Sequence, residues 1–190
     1  MRYWDLPPED IKYCILTHPH FDHAGGGHLL KNQGVKFIAI RETADAVAAG
    51  DERCYGYLYH KTFNPFHVDR SVTDGEKIAL LGIEFEVMHL PGHSMGCTGY
   101  FLNWEGKQLV FSGDVIGTLL GGDFGWGGSM DFNKAKYIES LKKICKRRYS
   151  SDVARPWPDL LPSTPYPGGR SIKHRIDAME IGIGKLRYKK

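Results

Sequence analysis

At 190 residues, 42% apolar and 25% charged, the chain suits one soluble domain with room for a substantial core. A formal net charge of +3 is too small to demand a nucleic-acid partner, and no apolar run approaches the roughly 20 residues of a membrane span. Met1 to Asp10 lack the basic-then-apolar order of a signal peptide, and Cys14, Cys54, Cys97 and Cys145 are scattered without a C-x-x-C pair, so a cytoplasmic protein with reduced thiols is expected.

In chain order, Tyr13-Cys14-Ile15-Leu16 reads as a short buried strand that runs into Thr17-His18-Pro19-His20-Phe21-Asp22-His23 and then Ala24-Gly25-Gly26-Gly27, where the backbone must bend. A helix is expected from Gly27 to Asn32, a buried strand over Val35 to Ile40 and a helix over Glu42 to Ala49. The stretch from Asp51 to His67 carries Tyr55, Tyr57, Tyr59, Phe63 and Phe66 without clean periodicity. Two readings stay open for it, aromatic packing under a long loop and a substrate-facing lid. Ile78-Ala79-Leu80, a turn at Leu81-Gly82 and the alternation of Ile83, Phe85 and Val87 predict paired strands. Gly99 to Trp104 and Gln108 to Phe111 flank Glu105-Gly106 as a second hairpin.

Gly113 to Met130 is glycine-rich and irregular, and a helix is expected over about Asn133 to Tyr149 with Ile138, Leu141, Ile144 and Cys145 on one stripe. The cluster Lys142, Lys143, Lys146, Arg147 and Arg148 on it reads as a solvated face. Asp159 to Leu161 predicts a last short strand and Ser171 to Leu186 a closing helix. Strands mixed with helices, with hairpins in the middle and no repeat, argue for a layered α/β or α+β fold of one domain over residues 1–190.

Three imidazoles and a carboxylate in so short a run exceed anything packing requires, because these groups are costly to bury without a partner and a metal ion partners all of them. On an extended segment His18 and His20 share a face, while the turn carries Asp22 and His23 to a neighbouring position. Downstream, His93 in Pro91-Gly92-His93-Ser94 and Asp114 in Ser112-Gly113-Asp114 again stand at strand ends beside glycine. The other histidines lack a motif. His89, which alternates with Val87 near the site, is the exception expected to support a ligand from behind.

This order of motifs, H-x-H-x-D-H at His18, His20, Asp22 and His23, then Pro91-Gly92-His93-Ser94-Met95-Gly96, then Ser112-Gly113-Asp114, resembles the metallo-β-lactamase fold superfamily from about Ile11 to Gly168. The resemblance implies an α/β fold, an αβ/βα four-layer sandwich, with a one- or two-metal centre at the sheet edge. On that template His18, His20 and His93 bind the first metal, Asp22 and His23 the second, and Asp114 bridges. The implied cofactor is Zn²⁺, one or two ions, with iron or manganese as alternatives.

Two features depart from the pattern. The segment corresponding to the last histidine ligand reads Leu160-Leu161-Pro162-Ser163-Thr164, and a threonine hydroxyl is a poor zinc ligand. A weak or absent second metal is expected. The competing explanations are a substitute ligand such as His174 swinging in, or a residue altered at position 164. The family also places several strands before its histidine run, whereas His18 lies near the start of this chain. Either the form is truncated or a partner copy covers the exposed sheet edge, which makes a homo-oligomer an expectation.

The chemistry implied is hydrolysis of a small-molecule ester, lactone, thioester, amide or related substrate by metal-bound hydroxide. Asp22 is the expected catalytic group, orienting the nucleophile or accepting its proton. Asp114 argues against a true β-lactamase, and the chain is too short to carry the helical substrate domain of glyoxalase II enzymes. The rivals are a mononuclear iron oxygenase resembling persulfide dioxygenases and a non-catalytic descendant.

Overall fold

The computed structural model describes residues 7–116 and 130–150. Two sheets lie back to back. The first is parallel, in the order β1 (Tyr13–Ile15), β2 (Lys36–Ile40) and β3 (Arg70–Val72). Its central strand is buried from Phe37 to Ile40, as a parallel strand covered on both faces must be, and so it reads as an unbroken apolar run. Between these strands come α1 (Phe21–Ala24), α2 (Gly27–Asn32) and α3 (Arg41–Ala49). The second sheet is antiparallel, β4 (Lys77–Leu80), β5 (Ile83–His89), β6 (Thr98–Trp104) and β7 (Lys107–Phe111), in chain order. Both outer hairpins turn on two residues of positive φ, Leu81-Gly82 and Glu105-Gly106, the primed geometry that matches strand twist. A long helix, α4 (Lys134–Ser150), closes the described part.

Side-chain alternation sorts these elements into four layers. Phe37 and Ala39 point from β2 to Ala46 and Val47 of α3 and to Phe63 and Phe66. Ile38 and Val72 point the other way, to Ile78, Val87 and Tyr100 of the second sheet. Met88 and Phe101, one residue out of step, face Tyr137, Ile138, Leu141 and Ile144 of α4. The buried Tyr100 hydroxyl donates to the Leu16 carbonyl at 2.9 Å, tying the two sheets where β1 ends. Helix, sheet, sheet and helix thus stack in the expected αβ/βα order.

Three elements differ from the sequence reading. Helix begins already at Phe21, so Asp22 and His23 sit in a helical turn rather than before one. Strand β3 went unread because Arg70 and Ser71 are exposed and only Val72 is buried. The basic cluster on α4 is not simply solvated: Lys143 Nζ bonds Asp74 Oδ1 at 2.6 Å, and Arg147 pairs with Glu86 and lies 4.4 Å from the centre of the Phe101 ring. The aromatic stretch divides between its two readings. Tyr55, Phe63 and Phe66 are core, while Tyr57 and Tyr59 are exposed on a short turn at Gly56–Tyr59. The expected strand at Asp159 to Leu161, the closing helix, Thr164 and His174 lie outside the described residues.

Just before β3, a carboxylate ties the incoming chain to the start of β2. Asp69 Oδ2 accepts from the Phe37 amide at 2.8 Å and from Lys31 Nζ at 2.5 Å, and Oδ1 accepts from Lys36 Nζ at 3.3 Å. Burial works to raise this carboxyl, but the three donors override it and bring it from 3.8 to about 2. A group that titrates lower when folded stabilises fully above its unfolded value and loses that stabilisation as pH falls through its folded value. Asp69→Asn is therefore expected to cost about 2 kcal/mol at neutral pH, the scale of charge-assisted bonds. The difference from wild type should shrink as denaturant melts are repeated from pH 5 down to about 2 and vanish below that. A gap that persists unchanged at the acid end would show that the Asp69 charge is not its source.

Candidate metal centre

The site lies where β1, β5 and β7 end, on one rim of the sandwich. Leu16 continues the β1 ladder by donating to Ile38 O at 2.9 Å; the chain then bends at Thr17 and reaches His20 in an extension whose φ and ψ are −60° and 151°. That extension delivers His18 and His20 inward, 0% and 5% exposed. The first turn of α1 then lifts Asp22 and His23 to the rim. His93 enters from the β5–β6 connection and is 4% exposed. Asp114 follows Gly113, which has φ +51° and leaves no room for a side chain, since a Cβ would stand 2.7 Å from Thr17 Oγ1. Only glycine passes the chain this close to the histidine run.

The imidazoles converge. His93 Nε2 and His20 Nδ1 are 3.0 Å apart, and the ring centres of His18 lie 4.5, 4.1 and 5.1 Å from those of His20, His23 and His93. Ligand atoms of His18, His20 and His93 all fall within 4.8 Å of one another, as do those of His18, His23 and Asp114. Asp114 links its own set to the first, its Oδ1 3.2 Å from His23 Nε2 and its Oδ2 3.5 Å from His93 Nε2. Asp22 stands outside both sets at the rim, 47% exposed, with Oδ2 3.6 Å from His23 Nε2.

Electrostatics favour a cation here. Burial, then the neighbouring imidazoles, push His18 well below its ordinary pKa, and burial followed by His93 takes His20 down to about 3. Burial also lowers His93. These three rings are therefore neutral and carry the lone pairs that a metal requires. His23 behaves oppositely: its hydrogen bond with Asp114 raises its pKa and depresses that of the carboxyl. The fit to a metal also shows in an unmet demand. His18 Nδ1 is 3.2 Å from Thr17 Oγ1, whereas His18 Nε2 is buried with no hydrogen-bond partner among the described residues. A buried ring nitrogen left without a partner in a cluster of neutral imidazoles is the demand that a cation satisfies.

Two contributors escaped sequence reasoning. Tyr55 packs edge-on against His20 with ring centres 4.6 Å apart, and Asp131 Oδ2 accepts the Met95 amide at 2.9 Å beside His93. Neither belongs to a local motif, and only the fold brings them near. His89, expected behind a ligand, faces the Met95 carbonyl, with Nε2 at 2.8 Å.

Comparison with known proteins agrees with this geometry. The family model described as the metallo-beta-lactamase superfamily matches residues 1–150. Hydroxyacylglutathione hydrolase GloC of Haemophilus influenzae is 32% identical over 145 residues, covering 71% of this chain and 61% of that protein. Hydroxyacylglutathione hydrolase of Pseudomonas aeruginosa strain LESB58 is 32% identical over 110 residues, covering 58% of this chain and 35% of its own length. The chain thus spans between about a third and three fifths of these curated relatives. Among solved structures, native FEZ-1 metallo-beta-lactamase from Legionella gormanii superposes with a TM-score of 0.65 at 23% identity, over 99% of this chain and 80% of that one, a likeness of fold. A matching family model over most of the chain, the four-layer α/β sandwich and the motif residues gathered at its rim lead to one assignment: this chain belongs to the metallo-beta-lactamase superfamily.

Proposed function

We propose that this protein is a metal-dependent hydrolase of small ester-like substrates. The convergence of one ring nitrogen each from His18, His20 and His93, within 4.8 Å of one another on buried and neutral imidazoles, carries that reading. His18, His20 and His93 would hold the first cation, and Asp22 and His23 a second, with Asp114 placed between. A nitrogen-rich set of this kind suits Zn²⁺, with iron and manganese as alternatives. A divalent cation supplies Lewis acidity, which acidifies water to near neutral pH and polarises a carbonyl oxygen.

The chain's own groups divide the remaining work. The buried imidazoles fix position, since their rings are held against one another and against Tyr55. Asp22, the exposed carboxylate beside His23, would orient a water molecule or take its proton. The relatives are named hydroxyacylglutathione hydrolases, which supports hydrolysis over oxygenation and puts thioesters first among substrates to try. Lys143 and Arg147 are engaged with Asp74 and Glu86, which supports a small molecule over nucleic acid as the partner. The family match over residues 1–150 supports a single domain. Cys14, Cys54 and Cys97 are free thiols, which supports a reducing, cytoplasmic setting. No helix of the described residues is long and apolar enough to cross a membrane.

The test is a panel of thioesters, esters, lactones, amides and β-lactams with Zn²⁺-loaded protein. Turnover of at least one is expected, with Asp22→Asn lowering kcat by about 100-fold or more, the usual scale of a positioned acid or base. A panel in which wild type does no better than His18→Ala would overturn hydrolysis.

A further inference from the structure

His93 is the one member of the buried histidine set that stands on a loop joining two strands, between His89 at the end of β5 and Thr98 at the start of β6. Such a loop needs outside support to hold a ring to a fraction of an ångström. Its neighbours supply it. The Gly92 carbonyl accepts from the Asn133 amide at 2.8 Å, the Pro91 carbonyl from Ser140 Oγ at 2.7 Å, and the Gly96 carbonyl from Thr43 Oγ1 at 2.8 Å. Asp131 takes the Met95 amide. The Met95 carbonyl is met by the His89 imidazole, with Nε2 at 2.8 Å. A carbonyl only accepts, so the ring must donate from Nε2.

His89 is itself fixed. Its amide donates to Asp74 Oδ1 at 2.8 Å, and its carbonyl accepts from Lys143 Nζ at 3.1 Å, with the same ammonium bonded to both Asp74 oxygens. The strand end therefore lies in a three-part clamp of β5, α4 and the turn before β4, and its imidazole reaches across the loop to the carbonyl two residues past His93. We propose that His89 is a positioning residue for the metal centre, stapling the loop through Met95 so that His93 Nε2 stays opposite His20 Nδ1. This inference rests on the metal reading above and goes beyond it by assigning a residue outside the ligand set. No substrate contact is involved.

The experiment compares His89→Leu, which keeps bulk but donates nothing, with His89→Gln, whose amide N–H can reach the same carbonyl. Affinity for Zn²⁺ is measured by competition with a chromophoric chelator, and geometry by the visible absorption of the Co²⁺-loaded protein. His89→Leu should weaken the tighter site about 10- to 100-fold, the scale for groups that orient ligands from behind, and shift the Co²⁺ bands. His89→Gln should return to within about threefold of wild type, below that range. Asp69→Asn, remote from the loop, should lower thermal stability while leaving both metal readouts unchanged. His89→Leu that binds like wild type overturns this proposal alone, and so does His89→Gln as weak as His89→Leu. Wild type that binds no metal overturns the metal reading together with it.

Discussion

Replacing His18 by alanine is expected to remove metal binding, and with it the stabilisation that metal gives the fold. His18 is fully buried and is the residue shared by both convergent sets, His18–His20–His93 and His18–His23–Asp114. Its loss therefore touches both positions, unlike that of His20 or His23. The affinity lost should exceed the roughly 100-fold that separates an intact ligand set from one with a disturbed supporting group. A ligand that binds only the folded state stabilises it by about 4 kcal/mol at a thousandfold excess over its dissociation constant. For a domain of this size that amounts to a rise in Tm of roughly 8–16 °C. Wild-type protein should show this rise with Zn²⁺ and lose it with a chelator. His18→Ala should melt at one temperature whatever is added, with a metal count per chain near zero by elemental analysis. An unchanged Zn²⁺-dependent shift in His18→Ala would remove His18 from the ligand set and with it the geometric case for the centre.

How far the sequence alone reached can be judged from particular residues. His18, His20, Asp22 and His23 were legible because spacing is local, and an extended segment followed by a turn has few ways to place them. His93 and Asp114 were legible only as glycine-flanked strand ends in a familiar order, since nothing local says that chain positions so far apart meet. β2 announced itself through an unbroken apolar run, whereas β3 did not, because a strand with Arg70 and Ser71 exposed carries no hydrophobic period. The start of α1 at Phe21 was hidden by the glycines that follow it. Asp69, Asp131 and Tyr55 act on groups distant in the chain, so no window of sequence could reveal their roles. His89 lay between these cases: alternation with Val87 placed it near the site, but its acceptor, Met95 O, required the loop in space.

The second large effect expected is on folding, at Gly92, one residue before His93. Its φ is +144°, a region that residues with a side chain rarely adopt, and a Cβ there would lie 2.3 Å from the Cα of Tyr137 and 2.4 Å from its amide nitrogen. The obstacle is helix backbone, which cannot rotate aside as a side chain could. Tyr137 is moreover fixed, since it is 1% exposed and its hydroxyl donates to the Val115 carbonyl at 2.8 Å. Gly92→Ala must therefore either push α4 from the sheet or twist the loop out of its conformation. Backbone strain of about 1–3 kcal/mol and overpacking of similar size add to roughly 4 kcal/mol. The two escapes differ in what they disturb. If α4 moves, the Ser140 and Asn133 bonds to the loop and the contacts of Ile138, Leu141 and Ile144 with Met88 and Phe101 go together, and stability falls with metal affinity. If the loop twists instead, His93 leaves His20 while the helix stays, and metal affinity falls by more than stability does. Denaturant melts of the metal-free variant, set beside its Zn²⁺ affinity, distinguish the two. Alanine tolerated within about 1 kcal/mol, with affinity intact, would mean that α4 and the loop are not pressed together, since overpacking alone starts at that cost. The tight approach of helix to loop also explains why glycine precedes the buried histidine: the same contact that excludes a side chain at position 92 holds the backbone from which His93 reaches the centre.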